Sequence, residues 1–121
     1  MLNHETLRSY CLNKKGVTED FPFDEDTLVF KVMGKMFLLT GINNTVLHFN
    51  AKMDPELIPQ YRDKYADIQP GYHMHKDHWN TIIAGNNKIP QKELLWMIDH
   101  SYEQVIKGLS KKERDTLAKM K

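Results

Sequence analysis

Between Pro90 and Ser110 the apolar residues Leu94, Leu95, Ile98, Tyr102, Val105, Ile106 and Leu109 keep one stripe in helical phase. A helix greasy on one side must lay that side on something, so the stripe demands an apolar partner surface elsewhere in the chain. The partner lies between Thr27 and Ala51. There Leu28, Val29, Phe30 and Val32 lead into Gly34-Lys35 and then Met36, Phe37, Leu38 and Leu39, a hairpin with glycine placed as a type II′ turn needs it. Gly41 and Asn43-Asn44 form the next turn. From Val46 to Ala51 the pattern alternates, with Leu47, Phe49 and Ala51 on one face and Val46, His48 and Asn50 on the other, which completes a three-stranded antiparallel meander.

The remaining elements are punctuated by caps and breakers. Asn3 caps a first helix reaching about Lys14, in which Leu7, Tyr10 and Cys11 share a face, and Gly16 ends it. Asp54-Pro55-Glu56 opens a second helix to about Tyr65, the proline falling where its missing N–H costs nothing. Pro70-Gly71 breaks the chain, and Tyr72 to Ala84 reads as two short strands about a turn near Lys76-Asp77. Ser110-x-x-Glu113 is a capping box that starts a charged terminal helix. The order is α-β-β-β-α-β-β-α-α. Residues 1–121 therefore predict a single α+β two-layer domain, a five-stranded antiparallel sheet with helices on one face.

Lysine and arginine number 17 against 16 acids, a net charge of +1, so no global field drives the molecule onto nucleic acid or a membrane surface. Any such affinity needs a local patch. No apolar run approaches the roughly 20 residues of a membrane span, and Met1 to Tyr10 lacks the basic start and apolar middle of a signal peptide. A cytoplasmic location is expected, with a monomer favoured and no membrane partner or cofactor. Cys11 is the lone cysteine, which excludes an intramolecular disulfide and a cysteine-based zinc knuckle.

The densest chemistry runs from Gly71 to Thr81. If Lys76-Asp77 is a two-residue turn, His75 faces His78 and His73 faces Asn80, so three histidines and an asparagine share one sheet face, while Tyr72, Met74, Trp79 and Thr81 form an apolar side that packs on the core. Trp79 is then structural and His78 free for recognition. The cluster His73, His75, His78 and Asn80 offers imidazole nitrogens to a ligand or a divalent metal, although its spacing matches no standard zinc motif. No nucleophile with an oriented base is visible, so binding is favoured over catalysis. Cys11 reads as a small buried hydrophobe. Glu19, Asp20, Asp24, Glu25 and Asp26 read as a solvated loop anchored by Phe21 and Phe23, without calcium-loop spacing. The seven methionines read as gap-fillers. From Val105 onward six bases face two acids, so the last stretch carries +4 while the first 104 residues sum to −3.

Tyr10-Cys11, Gly16-Val17-Thr18-Glu19-Asp20-Phe21-Pro22-Phe23, Val29-Phe30-Lys31-Val32, Gly34-Lys35-Met36-Phe37, Lys52-Met53-Asp54-Pro55-Glu56, Gly71-Tyr72-His73-Met74, Lys76, His78-Trp79-Asn80-Thr81 and Ser101-Tyr102 give the chain a pattern that resembles the MmcQ/YjbR family of small bacterial proteins, almost end to end. The resemblance implies a CyaY-like (frataxin-like, secretion-chaperone-like) fold and DNA binding through a double-wing arrangement of hairpins. His75 stands where that pattern commonly has asparagine, and Asp77 where it commonly has a base, which removes positive charge from the second hairpin tip. On this reading the chain is a non-enzymatic binding protein for double-stranded DNA. Lys35, Lys76, His78 and Asn80 touch phosphates or groove edges, and Lys111, Lys112 and Arg114 add a nonspecific electrostatic contribution. The alternatives are a small-molecule or metal site at His73, His75, His78 and Asn80, or a protein-interaction module presenting a sheet face or edge.

Overall fold

The computed structural model describes residues 2–71 and 74–120. Its elements are α1 (His4–Leu12), β1 (Val17–Asp20), β2 (Thr27–Val32), β3 (Lys35–Gly41), β4 (His48–Lys52), α2 (Ile58–Lys64), β5 (Ile68–Pro70), β6 (Trp79–Ile83), α3 (Gln91–Lys107) and α4 (Lys111–Ala118). The strands form one antiparallel sheet in the order β1-β2-β3-β4-β6-β5. Among the described residues no helix is long and apolar enough to cross a membrane.

The α+β reading holds, but the sheet has six strands where five were expected. The additional strand is β1, whose residues Val17-Thr18-Glu19-Asp20 carry one apolar side chain and read as the start of a loop. It becomes an edge strand because β2 offers a free ladder, and because the Arg8 guanidinium on α1 grips Glu19 with donor distances of 2.6 to 3.1 Å. Phe21 and Phe23 do not anchor the loop that follows; they are 45% and 63% exposed. The first hairpin is shifted by one residue. Val32 pairs with Lys35, so the loop is Met33-Gly34, and the two residues have φ of 52° and 80°, the pair of positive values that a type I′ turn requires in place of type II′. α2 starts later than expected. Asp54 does accept the Glu56 N–H through Oδ1 at 2.9 Å, but Pro59 has no N–H to give to residue 55, so the chain turns over Pro55 to Leu57 and is helical only from Ile58. Both predicted capping devices are present, Asn3 accepting from the Thr6 N–H and Ser110 from the Glu113 N–H.

One sheet face is covered by helices and holds the main core, where Phe30, Val32, Leu38, Phe49, Ala51 and Ile82 meet Leu7, Cys11, Met97, Ile98 and Tyr102. Cys11 is buried as expected, and burial pushes its thiol up to about 12, which disables it as a nucleophile. The opposite face carries a smaller cluster of Val29, Leu39 and Trp79, flanked by Met36 and Met74. A bulge breaks the pairing of β2 and β3 between Phe30 and Lys31, leaving Phe37 opposite no partner. The fully buried Ser101 on α3 serves the resulting gap: its hydroxyl donates to the Phe37 carbonyl at 2.5 Å and accepts the Lys52 N–H at 2.8 Å. Ser101→Ala strands both groups and should cost about 2 kcal/mol in a urea melt. A loss under about 0.5 kcal/mol would show that the hydroxyl is dispensable.

A second prediction concerns acid. His100 on α3 accepts the Asp54 N–H through Nε2 at 3.1 Å, a bond that only the neutral ring can make. Burial, the largest cause, lowers its pKa from 6.5. The unfolded chain therefore binds this proton more readily than the folded one, so stability is full above that pH and falls as pH drops through it. His100→Gln should flatten the decline as pH falls below about 6.5, leaving the steeper carboxylate limb at lower pH unchanged. Thermal melts across that range test the effect.

Candidate functional site

The second hairpin differs from its expected form. β5 and β6 are joined by an eight-residue loop over 71–78, and the pairs are Pro70 with Asn80, Gln69 with Thr81 and Ile68 with Ile82. The turn does fall at Lys76-Asp77, closed by the His78 N–H on the His75 carbonyl at 3.1 Å, but no strand pair flanks it. Asn80 pairs with Pro70 on one side and Ala51 on the other, and it points into the helix-covered core with no exposure. Trp79 and Thr81 take the opposite face, so the side packed on the main core is Asn80 and Ile82. Trp79 is nevertheless buried, against Val29, Leu39 and Met74. His73 and Tyr72 lie outside the described residues.

Asn80 is buried because a cation meets it there. Arg62 on α2 donates through Nε to Asn80 Oδ1 at 2.8 Å and through Nη2 to the carbonyls of Lys76 at 2.7 Å and Trp79 at 3.2 Å. The Asn80 amide in turn reaches Met53 Sδ at 3.5 Å. Gly71 completes the fastening: its N–H donates to the Trp79 carbonyl at 3.0 Å, and a Cβ there would lie 2.9 Å from the Trp79 Cβ. The planar guanidinium thus ties the loop, β6 and α2 together.

This changes the predicted site. His75 and His78 lie side by side, with ring centroids 4.9 Å apart, while Asn80 is on the far side of the strand and unavailable to either a ligand or DNA. The four-residue ligand cluster is therefore not assembled through Asn80. Among the described residues no three His, Cys, Asp or Glu side chains converge as a metal site would need. Lys35 and Lys76 are exposed at the two turns, His78 is half-buried, and Lys111, Lys112 and Arg114 are exposed on α4.

The topology brings these turns to one end of the sheet. The β2–β3 turn, the β4–α2 connection and the 71–78 loop all leave the same end, because β3 starts there and β4 and β2 finish there. The strand pairs from which the two turns extend, β2–β3 and β6–β5, have their centres about 14 Å apart, three strand spacings of roughly 4.8 Å. α4 packs Leu117 onto Gly16 beside Met33, and its first turn lies near enough to Lys35 for that ammonium to help lower the Glu113 carboxyl, behind the larger effect of Ser110. The loops of the other end, 21–26 and 65–67 among them, hold Asp24, Glu25, Asp26 and Asp67, with Lys88 their base. Asp54, Glu56, Asp77, Glu113 and Asp115 also stand at the first end, so its excess of base is modest, whereas the 21–26 loop carries acids and no base.

One further grouping joins residues of separate elements. Tyr61, Trp96 and His100 stack in series, with centroids 5.5 and 4.7 Å apart, along a groove of about 510 Å³ between α2 and α3. The groove's carboxylates are matched already, Asp99 by Lys14 and the Tyr10 hydroxyl and Glu93 by Lys64, so it is a weaker candidate than the basic end. Trp96, placed off the apolar stripe of α3, was a signal for it; Arg62 had none. Arg62→Ala should cost about 2 kcal/mol, since three acceptors lose a charged donor, and should make the bond after Lys76 sensitive to trypsin. An unchanged cleavage rate would show that the loop is held without it.

The chain is 34% identical over 111 residues to the uncharacterised protein YbdF of Escherichia coli O157:H7, a match covering 92% of this chain and 90% of that one. It is 25% identical over 114 residues to the uncharacterised protein YjbR of Escherichia coli K12, covering 94% and 96%. The crystal structure of Deinococcus radiodurans protein DR2400, a DUF419 domain, superposes with a TM-score of 0.90 at 38% identity, covering 98% of this chain and 89% of that one. A Pseudomonas syringae protein follows at 0.69 and 30%, covering 83% and 96%. The YjbR family profile matches residues 12–104, and the chain belongs to the YjbR family.

Proposed function

We propose that this protein is a non-enzymatic, cytoplasmic DNA-binding module of CyaY-like fold that receives a duplex at its basic end. The observation that carries the reading is the charge separation: two turns bearing Lys35 and Lys76 leave one end of the sheet, α4 adds Lys111, Lys112 and Arg114 beside the first turn, and the acidic loops lie at the other end. The separation of about 14 Å between the strand pairs that carry the two turns is comparable to the roughly 12 Å width of a major groove, so the two lysines can address the phosphate strands on either side of it. His78 and the exposed His75 sit between the second lysine and the sheet, within reach of a sugar or a base edge. Asn80 has no part in contact; with Arg62 it sets the position of the second turn.

Titration of a short duplex at low and at physiological salt tests the proposal. Binding near micromolar at low salt should weaken with a log–log slope of about −4.5, as expected for about five phosphate contacts. Lys35→Ala and Lys76→Ala should each reduce that slope by about 1. Absence of binding at low salt, or binding indifferent to salt, overturns the reading.

A further inference from the structure

The block Thr18 to Phe23 is part of the pattern by which the family is recognised, yet the basic end makes no use of it. Among the described residues six large hydrophobic side chains are exposed, and four of them, Phe21, Phe23, Ile42 and Val46, lie in the loops of the acidic end. Such a concentration marks a contact surface, whereas single exposed apolar residues do not. The loop is also held in place. Asp24 Oδ1 accepts the N–H groups of Asp26 and Thr27 at 2.8 and 2.6 Å, Asp26 accepts from Asn43 Nδ2 at 2.7 Å, and Pro22 restricts the chain between the two rings. Two phenyl rings are thus presented from a braced loop, flanked by Asp20, Asp24, Glu25 and Asp26.

A surface complementary to this one exists on the same chain. At the basic end Met36 and Met74 are partly buried at the edge of the smaller cluster, leaving polarisable apolar surface near Lys35 and Lys76, while Met33 packs on the helix-covered side beside Gly16. Methionine accommodates aromatic rings of varied orientation, and the lysines match the acids. The two surfaces lie at opposite ends of the strands, so no molecule satisfies its own. We propose that the Phe21-Pro22-Phe23 loop of one copy docks on the Met36 and Met74 surface of a second copy, near its Lys35 and Lys76. The contact is head to tail and does not close on itself, so it propagates into short chains of molecules. Its small area makes it weak and transient. Duplex DNA would compete for the accepting end, but the contact does not depend on the DNA reading.

The experiment uses the full chain without nucleic acid, so its failure leaves that reading intact. Sedimentation velocity from about 10 µM to about 1 mM should show the average mass rising with concentration at low salt, and less so at about 0.3 M, where the Debye length is roughly 6 Å. Phe21→Ser with Phe23→Ser breaks the donor loop, and Lys35→Glu with Lys76→Glu breaks the accepting end; all four side chains are exposed, and far-ultraviolet circular dichroism checks that both proteins fold. Each double variant alone should stay monomeric. Mixed, they should form a one-to-one dimer and nothing larger, because one intact donor and one intact acceptor remain. A wild-type chain that is monomeric throughout, or variants that associate as the wild type does, overturns the proposal. So does a mixture that fails to dimerise.

Discussion

The seating of α3 across the sheet is the constraint from which the other features follow. Its apolar stripe covers the face bearing Phe30, Phe49 and Ile82, and at the one place where the ladder is interrupted, the Phe37 bulge, the stripe carries a serine. A hydroxyl buried without partners would cost several kcal/mol in a medium that cannot hydrogen-bond. Here it completes both a carbonyl and an amide, and so fixes the helix against β3 and β4 in translation as well as in rotation. With α3 so placed, Tyr102 reaches the Lys15 carbonyl at 2.5 Å and Asp99 receives Tyr10 and Lys14, which docks the end of α1 on the same helix.

Arg62 applies the same logic to the second turn. Among the described residues of the 71–78 loop Met74 packs on the smaller cluster, and the carbonyls of Lys76 and Trp79 are held by one guanidinium that is part of a neighbouring helix. Because that cation requires an acceptor inside the structure, β6 turns Asn80 inward and Trp79 outward onto the smaller cluster. The result is a sheet with a structural interior on one side and a compact Met-Trp-Val-Leu surface on the other, the latter ending at the basic turns. Antiparallel topology then sorts the loops into two sets by strand direction, and the charges follow the loops. A molecule with almost no net charge is thereby given an acidic, aromatic end and a basic, methionine-bearing end.

Much of this architecture was legible residue by residue. The caps Asn3 and Ser110, the stripe on α3 and the alternation in β4 are short-range signals, set by backbone geometry within a few residues, and each element appeared where its signal stood. β1 was not legible, because four residues with one apolar side chain hold a strand only when a neighbouring ladder is free and an arginine on α1 is present to pair with Glu19. The first turn was misread by one residue since Met33, not glycine alone, adopts a positive φ there. Of the candidate lysines, Lys76 was recognisable as a turn residue, whereas Lys35, read into the first turn, opens β3 beside it. Asn80 was misassigned because alternation states which residues share a face, not which face is buried.

The sequence by itself determined that this chain folds as α+β, where α1, α3 and α4 begin, and that its cysteine is inert, since these depend on local periodicity, capping and an apolar environment along one helix face. Only the tertiary structure decided that the sheet has six strands, that Asn80 looks inward to Arg62 across 18 residues of chain, and that acids and bases part to opposite ends. Those outcomes arise from pairing between segments distant in sequence. A register displaced by one residue reverses every face, and nothing within a single strand records which register its neighbours will impose.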